Sequence, residues 1–258
     1  MIYKPKFKKR TSSTPSSIMC TINMQIEAIK SISQSNISIA RLIKIMKANK
    51  NDSKIIEKCC NRIRELANNE ENRIEIGRTD GIKVILQSMR IHIDVALVQV
   101  NACAALQKLA FTDSKYVSAV NTSSNGAIVL TNTNSSPNNN LKKQFSLTHL
   151  EQEQQEEYFE CCSSPEQLNN YDVHNMKQII YYGGQEDILN AMKNHPDHLP
   201  VQLYGICALV CFTFSSEYLH LLNDCGESKY LLEAAARRFP GMCKHDARNV
   251  LDRLSELA

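Results

Sequence analysis

The chain contains no tryptophan, and its 258 residues include only 8 glycines and 7 prolines. Scarce turn formers beside abundant Ile, Leu, Ala and Lys favour helix. No CxxC pair occurs, and no Cys/His cluster has the spacing of zinc ligands, so the sequence assigns no metal site. The ten cysteines instead fall as two adjacent pairs (Cys59/Cys60 and Cys161/Cys162) and six scattered singles. Cys207 and Cys211 lie four apart in an apolar helix-like run, where cysteine serves as a small core residue. No apolar run is long enough to span a membrane, and no apolar stretch follows the basic N-terminus as in a secretory signal. These absences predict a soluble, reduced, intracellular protein, cytoplasmic or nuclear. A net charge of +3 is too small to imply a polyanionic partner by itself. No Ser-His-Asp order, nucleotide loop or HExxH is present, so the reading assigns no catalytic residue and no cofactor. Gly183-Gly184 has no accompanying GK[ST] and reads as a helix break.

Two stretches stand apart in composition. Residues 1–17 are basic and then Ser/Thr/Pro-rich, which predicts a disordered tail. Lys4, Lys6, Lys8, Lys9 and Arg10 precede the first acid, Glu27. Residues 121–164 begin Asn/Ser/Thr-rich and end acidic, with EQEQQEEYFE inside them, and are predicted to be a disordered insertion with a short helix near 147–160. The remainder, 18–120 and 165–258, carries helical periodicity.

That remainder repeats. A shift of 103 positions aligns Gly81 with Gly184, Ile85 with Ile188, Leu86 with Leu189, Met89 with Met192 and His92 with His195. The same register aligns Val98 and Gln99 with Val201 and Gln202, then Ala105 and Leu106 with Ala208 and Leu209. An interval of that size is too long for one helical repeat. Removing an insertion of about 60 residues leaves a period of about 43. Stepping back by that period from Leu86, Met89, Cys103, Leu106 and Leu109 reaches Ile43, Met46, Cys60, Ile63 and Leu66. Stepping forward from Leu189 and Leu209 reaches Leu231 and Leu251. Four copies follow, over about 36–68, 70–120, 172–222 and 223–258, with 18–34 as a partial helix capping the first. Each copy has a short helix, a Gly-containing break, a second helix, a turn and a longer third helix. Because His92 and His195 hold equivalent turn positions, they are expected to cap or pack rather than to catalyse.

The stretch NRIEIGRTDGIKVILQSMRIHIDVALVQVNACAALQKLA resembles an armadillo repeat, and the third copy follows the same pattern. The resemblance implies an all-α fold, a right-handed armadillo-like α-solenoid of about four three-helix repeats, with the third helices lining a concave groove. Armadillo proteins that clamp extended peptides use an Asn near the end of the third helix and a Trp one turn earlier. The Asn column here reads Glu65, Lys108, Cys211 and Arg253, and the Trp column reads Asn61, Ala104, Cys207 and Asn249. That clamp is therefore absent, and a groove partner must be met by other chemistry. The candidate partner-contact residues are Asn61, Glu65, Gln99, Lys108, Gln202, Asn249 and Arg253. The resulting expectation is a non-enzymatic scaffold for a protein partner. The alternative is nucleic-acid or anionic-membrane association through the basic tail and the basic last repeat, where Arg237, Arg238, Lys244, His245, Arg248 and Arg253 cluster.

Overall fold

The computed structural model describes residues 15–110, 170–213 and 215–257. Among them there are twelve helices and no strand. In chain order they are α1 (Pro15–Ile32), α2 (Ile39–Ala48), α3 (Ser53–Leu66), α4 (Glu70–Arg78), α5 (Gly81–Ile91) and α6 (Ala96–Ala110). After the undescribed 111–169 come α7 (Asn170–Tyr181), α8 (Gly184–Asn194), α9 (Leu199–Phe212), α10 (Ser216–Asp224), α11 (Ser228–Arg238) and α12 (Lys244–Ser255). The expected insertion, 121–164, lies outside the described residues, as does most of the basic tail. None of the described helices is long and apolar enough to cross a membrane.

The twelve helices fall into four triplets. Their second helices have 10, 11, 11 and 11 residues and their third helices 14, 15, 14 and 12, so equivalent slots can be compared directly. Two boundaries differ from the sequence reading. α1 begins at Pro15 and fills the first-helix slot of the first triplet, packing on α3, where only a partial cap from residue 18 was expected. Proline suits that end because the N–H it lacks would have no partner in a first helical turn. α10 opens the fourth triplet, although its residues were read as the end of the third copy.

Local chemistry sets the helix starts. Ser38 Oγ accepts from Arg41 N, Asp52 Oδ1 from Lys54 N and Ile55 N, and Asn69 Oδ1 from Asn72 N. The His198 Nδ1 atom does the same for Val201 N at 3.4 Å, and Pro200 follows in the first turn of α9. The break before α8 uses Gly183 at φ 78°, a left-handed conformation that penalises any other residue.

Packing follows from which faces are apolar. Counterparts meet across the triplets: α6 lies between α3 and α9, α9 also meets α12, and the second helices α2, α5, α8 and α11 touch in succession. One continuous core results, from Ile32 to Leu254. α6 is buried on nearly every side because third helices flank it on both edges and α5 and α7 also pack on it. Its run Ala102-Cys103-Ala104-Ala105 is wholly inaccessible, and side chains this small are what allow neighbours to approach from every side. α4 and α7 come so close that a Cβ on Gly77 would lie 1.7 Å from Asn175 Oδ1. There Asn175 Nδ2 donates to Arg73 O at 3.2 Å, and Gln178 Nε2 donates to Gly77 O at 2.6 Å.

A charge pattern marks the second-helix row. Lys47, Arg90 and Lys193 each hold the penultimate position of a second helix. Each reaches an acid at the start of the next one: Lys47 pairs with Asp80, Arg90 with Asp187 (Nε to Oδ1, 2.8 Å) and Lys193 with Glu227 (2.6 Å). Cations at C-terminal ends and acids at N-terminal starts also suit the helix dipoles. The outer two pairs are exposed and contribute little. Arg90–Asp187 differs because the Asp187 side chain is only 7% exposed.

Candidate functional site

The third helices carry every candidate contact residue, and the structure divides those residues into two kinds. Gln99 and Gln202 are buried and face inward. Gln99 Nε2 donates to Met89 O (3.0 Å) and His92 O (2.8 Å), and Gln202 Nε2 donates to Met192 O (2.8 Å) and His195 O (2.9 Å). Each amide satisfies carbonyls left over at the C-terminal end of the second helix in its own triplet. Their recurrence in the sequence therefore reflects a repeated structural bond. These two side chains offer a partner no accessible surface.

The two repeated histidines complete the motif. His92 Nε2 lies 2.8 Å from Lys50 O and His195 Nε2 2.7 Å from Ile93 O, each reaching the second-to-third helix turn of the preceding triplet. A carbonyl only accepts, so Nε2 carries the hydrogen in both rings. One turn is thereby tied to the next, as the expectation of turn packing required. In His195-Pro196-Asp197-His198, one ring bonds Ile93 O and the other caps α9. Among the described residues no group of three His, Cys, Asp or Glu could hold a metal.

Substituting Gln99 or Gln202 with leucine keeps the volume but strips the carbonyls of their donor. Each variant is expected to lose about 2 kcal/mol of stability, read from urea unfolding midpoints. Unchanged midpoints would show that these carbonyls are satisfied some other way.

The other five candidates lie toward the surface. Asn61 Nδ2 donates to Glu65 Oε1 at 2.9 Å, and Arg62 Nη1 bonds Glu65 Oε2 at 2.7 Å. Arg62 also reaches Gln34 O (3.3 Å) and Ser35 O (3.0 Å), tying α3 to the turn after α1. Lys108 donates to Asn68 Oδ1, just past the end of α3. Arg253 Nη1 donates to Thr213 O (3.1 Å) at the end of α9, and its Nε donates to Asn249 Oδ1 (3.4 Å). Both cations thus reach back to the C-terminal end of the preceding third helix, where the dipole favours positive charge. Between them the column is interrupted by Cys207 and Cys211, both buried, with the Cys211 thiol donating to Cys207 O at 3.5 Å.

The structure thus brings Asn61 with Glu65 at one end of the third-helix row and Asn249 with Arg253 at the other. Lys108 stands between them, and Gln99 and Gln202 lie inside. Sequence reasoning missed Arg62, Asn175 and the Arg90–Asp187 pair. Only the penultimate basic residue shared by the second helices hinted at the last of these.

The cysteines add no reactive centre among the described residues. Burial pushes the Cys60, Cys103 and Cys243 thiols up to about 12, and it raises Cys59 further still, with Cys60 adding to it. Thiols so far from ionisation are poor nucleophiles.

Comparison with protein-family models, with curated proteins and with solved structures finds no match to this chain.

Proposed function

We propose that this protein is a non-enzymatic scaffold, an armadillo-like right-handed solenoid of four three-helix repeats that holds a protein partner along its third helices. The recurrence of one set of bonds supports the repeat reading: the Gln–carbonyl pair in the second and third triplets, and the His–turn bond linking them to the triplets before. A stack joined by the same contacts at successive junctions presents equivalent residues in a row, which suits an extended partner. The partner surface on this reading is the polar part of that row: Asn61, Glu65, Lys108, Asn249 and Arg253. A chain with an acid facing Lys108 and Arg253 and a base facing Glu65 would match it, and such complementarity governs encounter rate and register more than raw affinity.

The nucleic-acid alternative draws less support from the last triplet. Arg237 pairs with Glu233 at 3.2 Å, Arg238 with Asp197, and Arg253 is bonded to Thr213 O.

Affinity capture with the full chain tests the proposal. A partner retained by the wild type and by Lys44→Glu on α2 should bind at least about tenfold more weakly to Glu65→Arg combined with Arg253→Glu. If every retained partner tolerates the third-helix changes, the groove reading fails.

A further inference from the structure

The first helix differs from the other eleven in what it exposes. Met19, Ile22 and Ile26 are 60%, 43% and 44% exposed, although the Ile and Leu side chains of the inner helices are mostly buried. At 100° per residue these three fall within an arc of about 60°, so they form one stripe along α1. The C-terminal half of the helix is anchored: Ile32 is buried, Ala28 and Ile29 pack on the core, and Gln25 bonds Asp52. The stripe continues from that anchored face onto the outer part of the helix. Met24, also exposed, points to the opposite side and does not belong to it.

The residues leading into α1 have a charge of one sign. Lys4, Lys6, Lys8, Lys9 and Arg10 precede it, and no acid occurs before Glu27. An exposed apolar stripe on a helix beside a basic cluster is the combination that binds an anionic bilayer surface. The cations gather headgroups, and the stripe enters the boundary between headgroups and acyl chains. A nucleic acid would use the same charges but would leave Met19, Ile22 and Ile26 in water. An acidic protein would need an apolar groove of its own to cover them.

We infer that α1, together with the basic residues before it, docks this protein on an anionic lipid surface, with Met19, Ile22 and Ile26 as the inserted side chains. Insertion at this depth keeps α1 in the plane of the membrane, in accord with the absence of a spanning helix among the described residues. The reading is independent of the partner proposed for the third helices, so Glu65→Arg combined with Arg253→Glu should leave it intact.

Flotation of the full chain with vesicles tests it. The wild type should float with phosphatidylcholine vesicles containing phosphatidylserine, not with phosphatidylcholine alone, and binding should fall steeply with added salt. Ile22→Glu should weaken partitioning about tenfold. Replacing Lys4, Lys6, Lys8, Lys9 and Arg10 with serine should weaken it about a hundredfold or more. Circular dichroism and the melting curve of each variant establish that it folds, and Met19→Glu serves in place of Ile22→Glu if the latter does not. Failure of the wild type to float with phosphatidylserine at low salt overturns the proposal. So does flotation of both glutamate variants at wild-type affinity, because charge alone would then account for binding. Binding to single-stranded DNA without binding to vesicles would assign the basic cluster to nucleic acid and overturn it as well.

Discussion

Truncating Phe212 to alanine is expected to lower the unfolding free energy by about 3–5 kcal/mol, the largest loss from any single substitution considered for this chain. Phe212 is 1% exposed and ends α9, in the slot that Leu109 holds in α6 and Leu254 in α12. A ring removed there leaves a void at the foot of the third helix, between the third and fourth triplets. Neighbouring helices are held on several sides and collapse into it only in part. In a fold where units contact mainly their neighbours, the damage should be local first. Amides of α10, α11 and α12 should lose hydrogen-exchange protection before those of α2 and α3. A loss below about 1 kcal/mol, or uniform loosening of all four triplets, would contradict this account.

The second large effect concerns Arg90. Its side chain is about half exposed, whereas the Asp187 side chain it pairs with is buried. The two groups respond in different senses. The bond with Asp187 holds the Arg90 guanidinium above its usual range. Burial raises the Asp187 carboxyl in spite of Arg90, whose hydrogen bond and charge pull it down. Removing a carboxylate from water therefore costs more than this pairing returns, which is common for buried ion pairs. Arg90→Ala leaves the carboxylate buried with neither compensation, and should cost about 2 kcal/mol at neutral pH. The figure is set below that for a fully buried pair because Arg90 is half in solvent. Asp187→Asn should cost less, within about 1 kcal/mol, because an amide oxygen still accepts from Arg90 Nε.

The pH dependence has a definite sign. Asp187 binds its proton more tightly folded than unfolded, so its contribution favours folding below the unfolded carboxyl range. That contribution is lost as pH rises through the folded pKa. Without Arg90 that folded pKa moves further up. The deficit of Arg90→Ala relative to the wild type is therefore greatest at neutral pH and narrows on acidification toward the carboxyl range. Urea midpoints for both proteins at neutral and mildly acidic pH decide the matter. A deficit that stays constant or widens as pH falls would show that Asp187 is not the group responsible.

Much of the fold is legible in the sequence because its causes are local. Helix starts are written at Ser38, Asp52 and Asn69, each of which meets donors two or three residues away. Helix lengths and apolar faces follow from three- and four-residue spacing, and the triplet pattern follows from its recurrence. The contact surface was less legible. Gln99 and Gln202 read as groove residues because they lie on third helices near the expected face. Their burial depends on their orientation toward the preceding second helix, and no residue within a few positions reports that. The α1 stripe was hidden for the opposite reason. Met19, Ile22 and Ile26 have the pattern of core residues, and exposure appears only when α1 is seen to be anchored through its C-terminal half.

The sequence alone, then, determined helices, caps, a repeating triplet and the repeated His and Gln, because each arises from interactions spanning a few residues or from self-similarity along the chain. The tertiary structure alone decided the pairing of Arg90 with Asp187, the approach of Asn175 to Gly77 and the inward turn of Gln99 and Gln202. It also decided which apolar faces remain in water. Those outcomes join residues as much as about a hundred positions apart, and they depend on helix orientation and close packing, to which local propensity and periodicity are blind.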